Sequence, residues 1–404
     1  MALALSGIRV IDTCGFGPAS LAAMTMADMG SDVIKVEMPP GGGHRGVGEG
    51  LVYYPEQEDE AARMVAHSAM DRNKKRVAIN MRTESGQAVF QRLAKSSDVV
   101  LESFRPGVMD RMNVGYAALS KINPRLIYCA VSGYGQTGPY RNYVGHDGNY
   151  AGFGGILGMT GDRTGGPPVM ALNIVADMAV AYLNGLVGIL LALYAREKTG
   201  RGQMVDISMM DGVIGLLAGV PGAVEYPYSG ALPVRGETLT SGNNPYYSVY
   251  ETKDKKWLSI CPIEPRFWAN MCKAIGREDL IPHEFAAGAK KDEVMADLRR
   301  IFLTKTRDEW FDMLAKEDVP VGKVLDIDEV FKDPQALARQ MVLDVAHPKF
   351  GKVKQVGISI KLSDTPGSIR SLAVPLSHDT EEVMSGLGYS EDEIKKLRGE
   401  GAIH

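Results

Sequence analysis

The chain has 404 residues, 45% of them hydrophobic and 23% charged, the proportions of a globular enzyme with room for two or three domains. A formal charge of −4 excludes the polybasic surface that would recommend nucleic acid or an anionic membrane as partner. Cys14, Cys129, Cys261 and Cys272 form no CxxC pair and no Cys/His zinc spacing, so they are expected to be free thiols in a reducing cytoplasm.

The opening MALALSGIRVID has neither a basic n-region nor a cleavage site, and reads as a first strand around Ile8–Ile11. Helical spacing over Ala19–Met29 and a second strand at Asp32–Glu37 make a βαβ start, as in a doubly wound parallel sheet. The first turn, Gly15–Ser20, lacks GxGxxG, so a dinucleotide site is not expected. Pro39–Gly50, with its Gly41–Gly43 run, is a loop. Strands are expected at Val77–Ile79, Val99–Leu101 and Leu126–Val131, with a helix over Glu84–Lys95. Met178–Ala195 carries no charge and approaches the length of a membrane span. Its Gly, Asn and Tyr residues and its flanks, Asp177 and Arg196, predict a buried core helix instead. A strand at Val205–Ser208 and a helix from Met210 follow.

From Pro221 to Tyr247 glycine, proline, tyrosine and asparagine cluster, marking entry into a second domain. Residues Ser248–Val321 predict strands near Tyr250 and Leu258 and helices over Phe267–Ile275 and Lys291–Leu303. Beyond Asp333-Pro334 a β-like stretch runs to Leu362, and the charged helix EDEIKKL (Glu391–Leu397) closes the pattern.

Six phrases occur in order: GSDVIKVE (Gly30–Glu37), RNKKRVAIN (Arg72–Asn80), ESFRPGVMDRM (Glu102–Met112), SGYGQTGP (Ser132–Pro139), REKTGRGQ (Arg196–Gln203) and LSDTPGSIRS (Leu362–Ser371). The ordered set, from Leu5 to the C-terminus, resembles the superfamily of class III CoA-transferases and α-methylacyl-CoA racemases. The resemblance implies an α/β fold in which residues 1–220 and 331–404 build a Rossmann-like large domain. Residues 221–330 would form a small α+β domain, and two such subunits would interlock. It further implies a cytoplasmic enzyme acting on an acyl-CoA thioester, with coenzyme A part of the substrate and no metal or redox cofactor. Partners would be a second copy of the chain, or a different subunit in the case of a transferase, and neither nucleic acid nor membrane.

Coenzyme A carries a 3′-phosphate and a pyrophosphate, which Arg and Lys hold through charge-assisted bonds. The resemblance places such contacts on Lys74, Arg105 and Arg111, with Phe104 beside the ligand and Asp147 and Tyr150 in the same binding set. Without it, the basic run at 72–76 would read as a solvated face. Met38 stands where many relatives carry a basic residue, which leaves the adenine side without a matching contact.

Two chemistries share this scaffold. A transferase attacks the thioester with a carboxylate; a racemase moves the α-proton between two bases on opposite faces of the carbon. Asp177 matches the catalytic aspartate of both, at a helix start whose orphan N–H groups could face an oxyanion, although an N-cap role alone would also explain it. His146, in GHDGNY (Gly145–Tyr150), resembles the second base of the racemase branch, and an imidazole suits proton transfer at neutral pH. Glu264, in PIEPRFW, matches a glutamate that orients that histidine. The segment GETLTSGNNPYY (Gly236–Tyr247) lacks the glycine run that covers the anhydride in some transferases. The expected activity is inversion of the α-carbon of a 2-methyl-branched acyl-CoA. The alternatives are a CoA-transferase working through an acyl-Asp177 anhydride and a non-catalytic CoA-thioester-binding subunit.

Overall fold

Adjacent apolar residues let the central strands of the first sheet bury both faces. In β1 (Arg9–Asp12), Val10 and Ile11 point to opposite sides and join two separate hydrophobic clusters. The structure, a computed structural model, is described for residues 2–15, 17–39, 58–162 and 166–404. The Gly41–Gly43 run and the rest of the expected 39–50 loop beyond Pro39 lie outside the described residues.

With β2 (Asp32–Glu37), β3 (Lys74–Ala78), β4 (Val99–Glu102), β5 (Ile127–Ser132) and β6 (Met204–Ser208), β1 forms a parallel sheet of order β3-β2-β1-β4-β5-β6. This is the doubly wound order, and its direction reverses between β1 and β4, whose carboxyl ends carry Asp12 and Glu102. Helix α1 (Pro18–Asp28) starts on a proline and sends Ala22 and Met26 into the cluster on one face of the sheet. Helix α2 (Glu84–Lys95) is capped by Thr83, whose Oγ1 accepts from the Gly86 N–H at 3.1 Å, and packs Val89, Phe90 and Leu93 on the other face. C-terminal residues return to that second face: Val383, Met384 and Ile394, on helices Thr380–Gly386 and Glu391–Gly399, join the α2 cluster, and Ile403 bridges Ile79.

The strand expected at Val77–Ile79 begins at Lys74, because its first residues pair with β2 in the register Val33↔Lys74. Hydropathy hides that start, since the charged residues there are satisfied by ion pairs within the chain. The expected core helix is also revised. Ile174–Tyr182 is a π-helix that continues into α4 (Leu183–Thr199). Its apolar run is long enough by composition to cross a membrane, at a mean hydropathy of 1.9. Yet Gly188 lies so close to the sheet that a Cβ there would meet Val205 Cγ1 at 2.7 Å, and Leu186, Ile189 and Leu193 are buried in the sheet's cluster. The opposite side, with Leu183, Val187, Leu191 and Tyr194, is exposed, so the helix is buried on one face only.

Two units emerge: Met1–Phe153, Ala171–Val213 and Pro334–His404 form the first; Gly154–Met170 and Ile214–Asp333 form the second. The large part expected to run unbroken through residue 220 is thus interrupted at Gly154, and the second unit begins before Pro221. A composition change marks where turn residues gather, not where a segment packs. The second unit has an antiparallel sheet of order β10-β9-β8-β7, made of β7 (Asn243–Asn244), β8 (Tyr247–Glu251), β9 (Trp257–Ile260) and β10 (Val321–Val324). Helices α5 (Pro265–Ala274) and α6 (Gly288–Phe302) cover it. Its core holds Trp268, Phe302, Tyr250 and Trp310, with the Tyr250 and Phe302 rings 4.9 Å apart. All four cysteines are unpaired, and Cys14, Cys129 and Cys272 are buried.

Candidate active site

The basic run at 72–76 is engaged within the chain. Arg72 pairs with Asp28 at 2.7 Å, Lys75 with Glu382 at 2.9 Å and Arg76 with Glu37 at 2.8 Å. Lys74 is wholly buried, its side chain 0% exposed, and its ammonium donates to Asp12 Oδ2 (2.8 Å), Ser20 Oγ (2.8 Å) and the Ser20 carbonyl (2.9 Å). Three bonds satisfy an ammonium, so Lys74 is corrected from phosphate ligand to the cation that ties β3 to the end of β1 and the start of α1.

After β4 the chain turns sharply. Arg105-Pro106-Gly107-Val108 is a turn with Gly107 at φ 80° and Val108 N–H donating to the Arg105 carbonyl at 3.1 Å, a type II geometry that proline and glycine favour at its centre. Phe104 packs on the core cluster, while Arg105 and Arg111 are exposed and their guanidinium groups have no hydrogen-bond or ion-pair partner among the described residues. The turn is anchored by Glu102, 5% exposed, whose Oε2 accepts from the Phe104 N–H at 2.6 Å. Burial pushes the Glu102 carboxyl up to about 8; the Phe104 N–H opposes this, and Asp110 and Asp206 add to it.

The GHDGNY segment follows β5. His146 is exposed, and its backbone N–H donates to Asn149 Oδ1 at 2.9 Å. Asp147 opens α3 (Asp147–Phe153), buried, and its Oδ2 accepts from the backbone N–H groups of Ala176 (2.7 Å) and Asp177 (2.9 Å). Tyr150 donates its hydroxyl to the Gly145 carbonyl, and its ring fills the space that side chains at Gly133 and Gly145 would need. Asp147 Oδ2 and the Tyr150 hydroxyl thus both help to build the loop. The helix-start N–H groups of Ala176 and Asp177 are likewise taken, and do not await an oxyanion.

Asp177 lies in the first turn of the π-helix, half-buried. Burial first, then the Asp147 charge, pushes the Asp177 carboxyl above the usual range, while the Asn173 hydrogen bond (3.5 Å) and His146 pull it down. Burial also pushes the Tyr150 phenol up to about 12, with Tyr134, Asp177 and Arg105 acting on it in turn. Arg105, His146, Asp147, Tyr150 and Asp177 thus share one electrostatic neighbourhood at the carboxyl side of β4 and β5. Tyr134 meets Tyr150 edge-on at 5.1 Å and Phe153 at 5.7 Å, forming an aromatic wall to the same loop.

Residues 5–380 match the family model for CoA-transferase family III. The chain belongs to that family. This CoA-transferase family III member is 30% identical to human α-methylacyl-CoA racemase over 99% of its own length and 98% of the relative's. It is similarly related to the succinyl-CoA–D-citramalate CoA-transferase of Chloroflexus aurantiacus, 31% identical over 99% of this chain and 98% of that one. A CAIB/BAIF family protein from Brucella suis superposes with a TM-score of 0.79 at 28% identity, covering 96% of this chain and 100% of the other. Family III thus joins racemases and CoA-transferases on one α/β fold, and acyl-CoA substrates are expected of its members.

Glu264 belongs to the second unit. It is the exposed residue preceding α5, its carboxylate makes no capping bond, and it acts on the neighbouring buried Glu284. Two residues escaped sequence reading: Asn173, whose amide donates to Asp177, and Glu102, which anchors the Phe104 turn. Asn173 carried a signal, standing four residues before Asp177 and so one helical turn away. Glu102 carried none, since an acidic strand end normally faces water.

Proposed function

We propose that this family III enzyme inverts the α-carbon of a 2-methyl-branched acyl-CoA by two-base proton transfer. The observation that carries the proposal is the coupling of His146 to Asp177: the residue after His146 grips the backbone of Asp177 itself. One of the two removes the α-proton, its electron pair passing into the thioester carbonyl as an enolate. The other delivers a proton to the opposite face, so the thioester bond stays intact and the net change is configuration alone. Burial and the Asp147 charge push the Asp177 carboxyl upward, which favours its taking up a proton. Arg105 and Arg111, exposed and unpaired, are the groups available to the phosphates of coenzyme A. The thioester acidifies the α-proton, so no step calls on a metal or redox group. The exposed α4 face, with Leu183, Val187 and Leu191 at four-residue spacing, supports a homodimeric enzyme, and we place it in the cytoplasm.

A second reading is favoured by the relatives that are CoA-transferases: Asp177 attacks the thioester carbon, coenzyme A leaves as the thiolate, and an acid resolves the acyl-Asp177 anhydride. It gives His146 no step. Incubation of 2-methylacyl-CoA thioesters with enzyme in D₂O decides between them. Deuterium should enter the α-carbon with the thioester intact, and His146→Ala should lose racemisation roughly 10²–10⁴-fold. A trapped Asp177 adduct, coenzyme A exchange onto added acids and no deuterium would overturn the racemase.

A further inference from the structure

His146 and Asp177 each follow a short run that holds exposed apolar residues, and both runs lie in the first unit. Before His146 stand Tyr143, 58% exposed, and Val144, exposed as well. The Tyr143 ring stacks on that of Tyr140, with centroids 5.0 Å apart and planes at 26°. The buried Tyr134 meets both edge-on, Tyr140 at 5.9 Å and Tyr143 at 6.2 Å, and packs in turn on Tyr150 of the histidine loop. A buried ring thus holds two outer ones in fixed orientation.

Before Asp177 stands Leu172, 79% exposed, with Ile174 exposed two residues on. Leu172 has φ 52°, in a turn closed by the Ile174 N–H, which donates to the Ala171 carbonyl at 3.2 Å. That left-handed region suits glycine or asparagine and is disfavoured for leucine. Burial within the chain does not account for the choice, because the side chain faces solvent. The next residue, Asn173, donates to Asp177 Oδ2 at 3.5 Å, so the turn that strains Leu172 also places a partner of Asp177. The Asp147 carboxylate ties the histidine loop to the π-helix through the N–H groups of Ala176 and Asp177. An acyl group whose α-carbon sits between His146 and Asp177 extends past one run or the other, and its apolar surface leaves water together with theirs.

We propose that Tyr143 and Leu172 are specificity-determining residues, selecting thioesters whose α-carbon carries a ring or an extended alkyl chain. The inference deepens the acyl-CoA reading and rests on it. Arg141, exposed between the two tyrosines, favours instead an acyl group ending in a carboxylate, and that rival is one arm of the test. Calorimetric affinities of the full chain are compared for 2-phenylpropanoyl-CoA, 2-methyldecanoyl-CoA, 2-methylbutanoyl-CoA and 2-methylsuccinyl-CoA, with unacylated coenzyme A as the reference. At least one of the first two should bind roughly tenfold or more tightly than the last two. Asparagine suits the backbone at Leu172, so Leu172→Asn should fold and cut that preference several-fold, and Tyr143→Ser should do the same. Equal affinities, a preference for 2-methylsuccinyl-CoA, or wild-type preference in both folded variants would overturn the assignment. So would loss of preference accompanied by a change in sedimentation, which would assign the two residues to a subunit contact. Affinity needs no turnover, so failure of the racemase reading would show separately, as tight binding without deuterium exchange.

Discussion

Asp147 accepts hydrogen bonds from the backbone N–H groups of Ala176 (2.7 Å) and Asp177 (2.9 Å), so one buried carboxylate joins the histidine loop to the π-helix. Both sides of the proposed reaction are therefore tied to one carboxylate. Loss of the acceptors would leave two donors unsatisfied at about 1–3 kcal/mol each, and Asp147→Ala is expected to destabilise the protein and to cut turnover. Asp147→Asn separates charge from geometry. The Asp147 charge raises the Asp177 carboxyl, so its removal should let Asp177 ionise at lower pH. The acidic limb of the kcat–pH profile should then move to lower pH. An unmoved limb would show that Asp177 does not control it.

Arg105 and Arg111 differ from Lys74 in a way that kinetics can read. The two arginines are exposed and unpaired, so Arg105→Ala or Arg111→Ala should raise KM at least several-fold through loss of a bond of about 1.5–3 kcal/mol, with melting temperature nearly unchanged. Lys74→Met breaks a fully buried pair with Asp12 and should instead destabilise by about 3–5 kcal/mol. Unchanged coenzyme A affinity in a folded Arg111→Ala protein would remove that residue from the site.

Glu102 links stability to pH. Its carboxyl is raised from 4.5 to about 8 in the folded chain, so the unfolded chain releases this proton first. Its contribution is unchanged below about pH 4.5, and stability is lost as pH rises through the window up to about 8. Glu102→Gln keeps an acceptor for the Phe104 N–H and removes the titration. The variant and wild type should melt alike near pH 4.5, and the variant should gain by a few kcal/mol on the alkaline side. Parallel melting curves across that range would refute the assignment.

The exposed side of α4 bears on assembly. Leu191 is 63% exposed and lies on one helical stripe with Leu183 and Val187. Wild-type protein is expected to sediment as a dimer, and Leu191→Lys to shift it toward monomer, because an ammonium at the centre of an apolar interface is strongly disfavoured. A monomeric wild type would leave the stripe unexplained by self-association.

Much of this was legible in the residues alone. The βαβ opening, the apolar strands and the helix at Glu84–Lys95 follow from periodicity, because burial of one face or two imposes a period of 3.6 or 2. The ordered phrases from GSDVIKVE to LSDTPGSIRS pointed to the family that the comparisons show. The resemblance they carry singled out His146 and Asp177, whose neighbourhood the structure supplies. What tertiary structure alone decided is where each polar group spends its bonds. Lys74 looks like a surface cation until Asp12, sixty-two positions earlier, comes to lie 2.8 Å away. Asp147 looks like a ligand contact until the helix at Ile174 offers it two N–H groups. Hydrophobic patterns encode burial locally, whereas the partner of a charge is set by chain segments that only the fold brings within hydrogen-bonding distance.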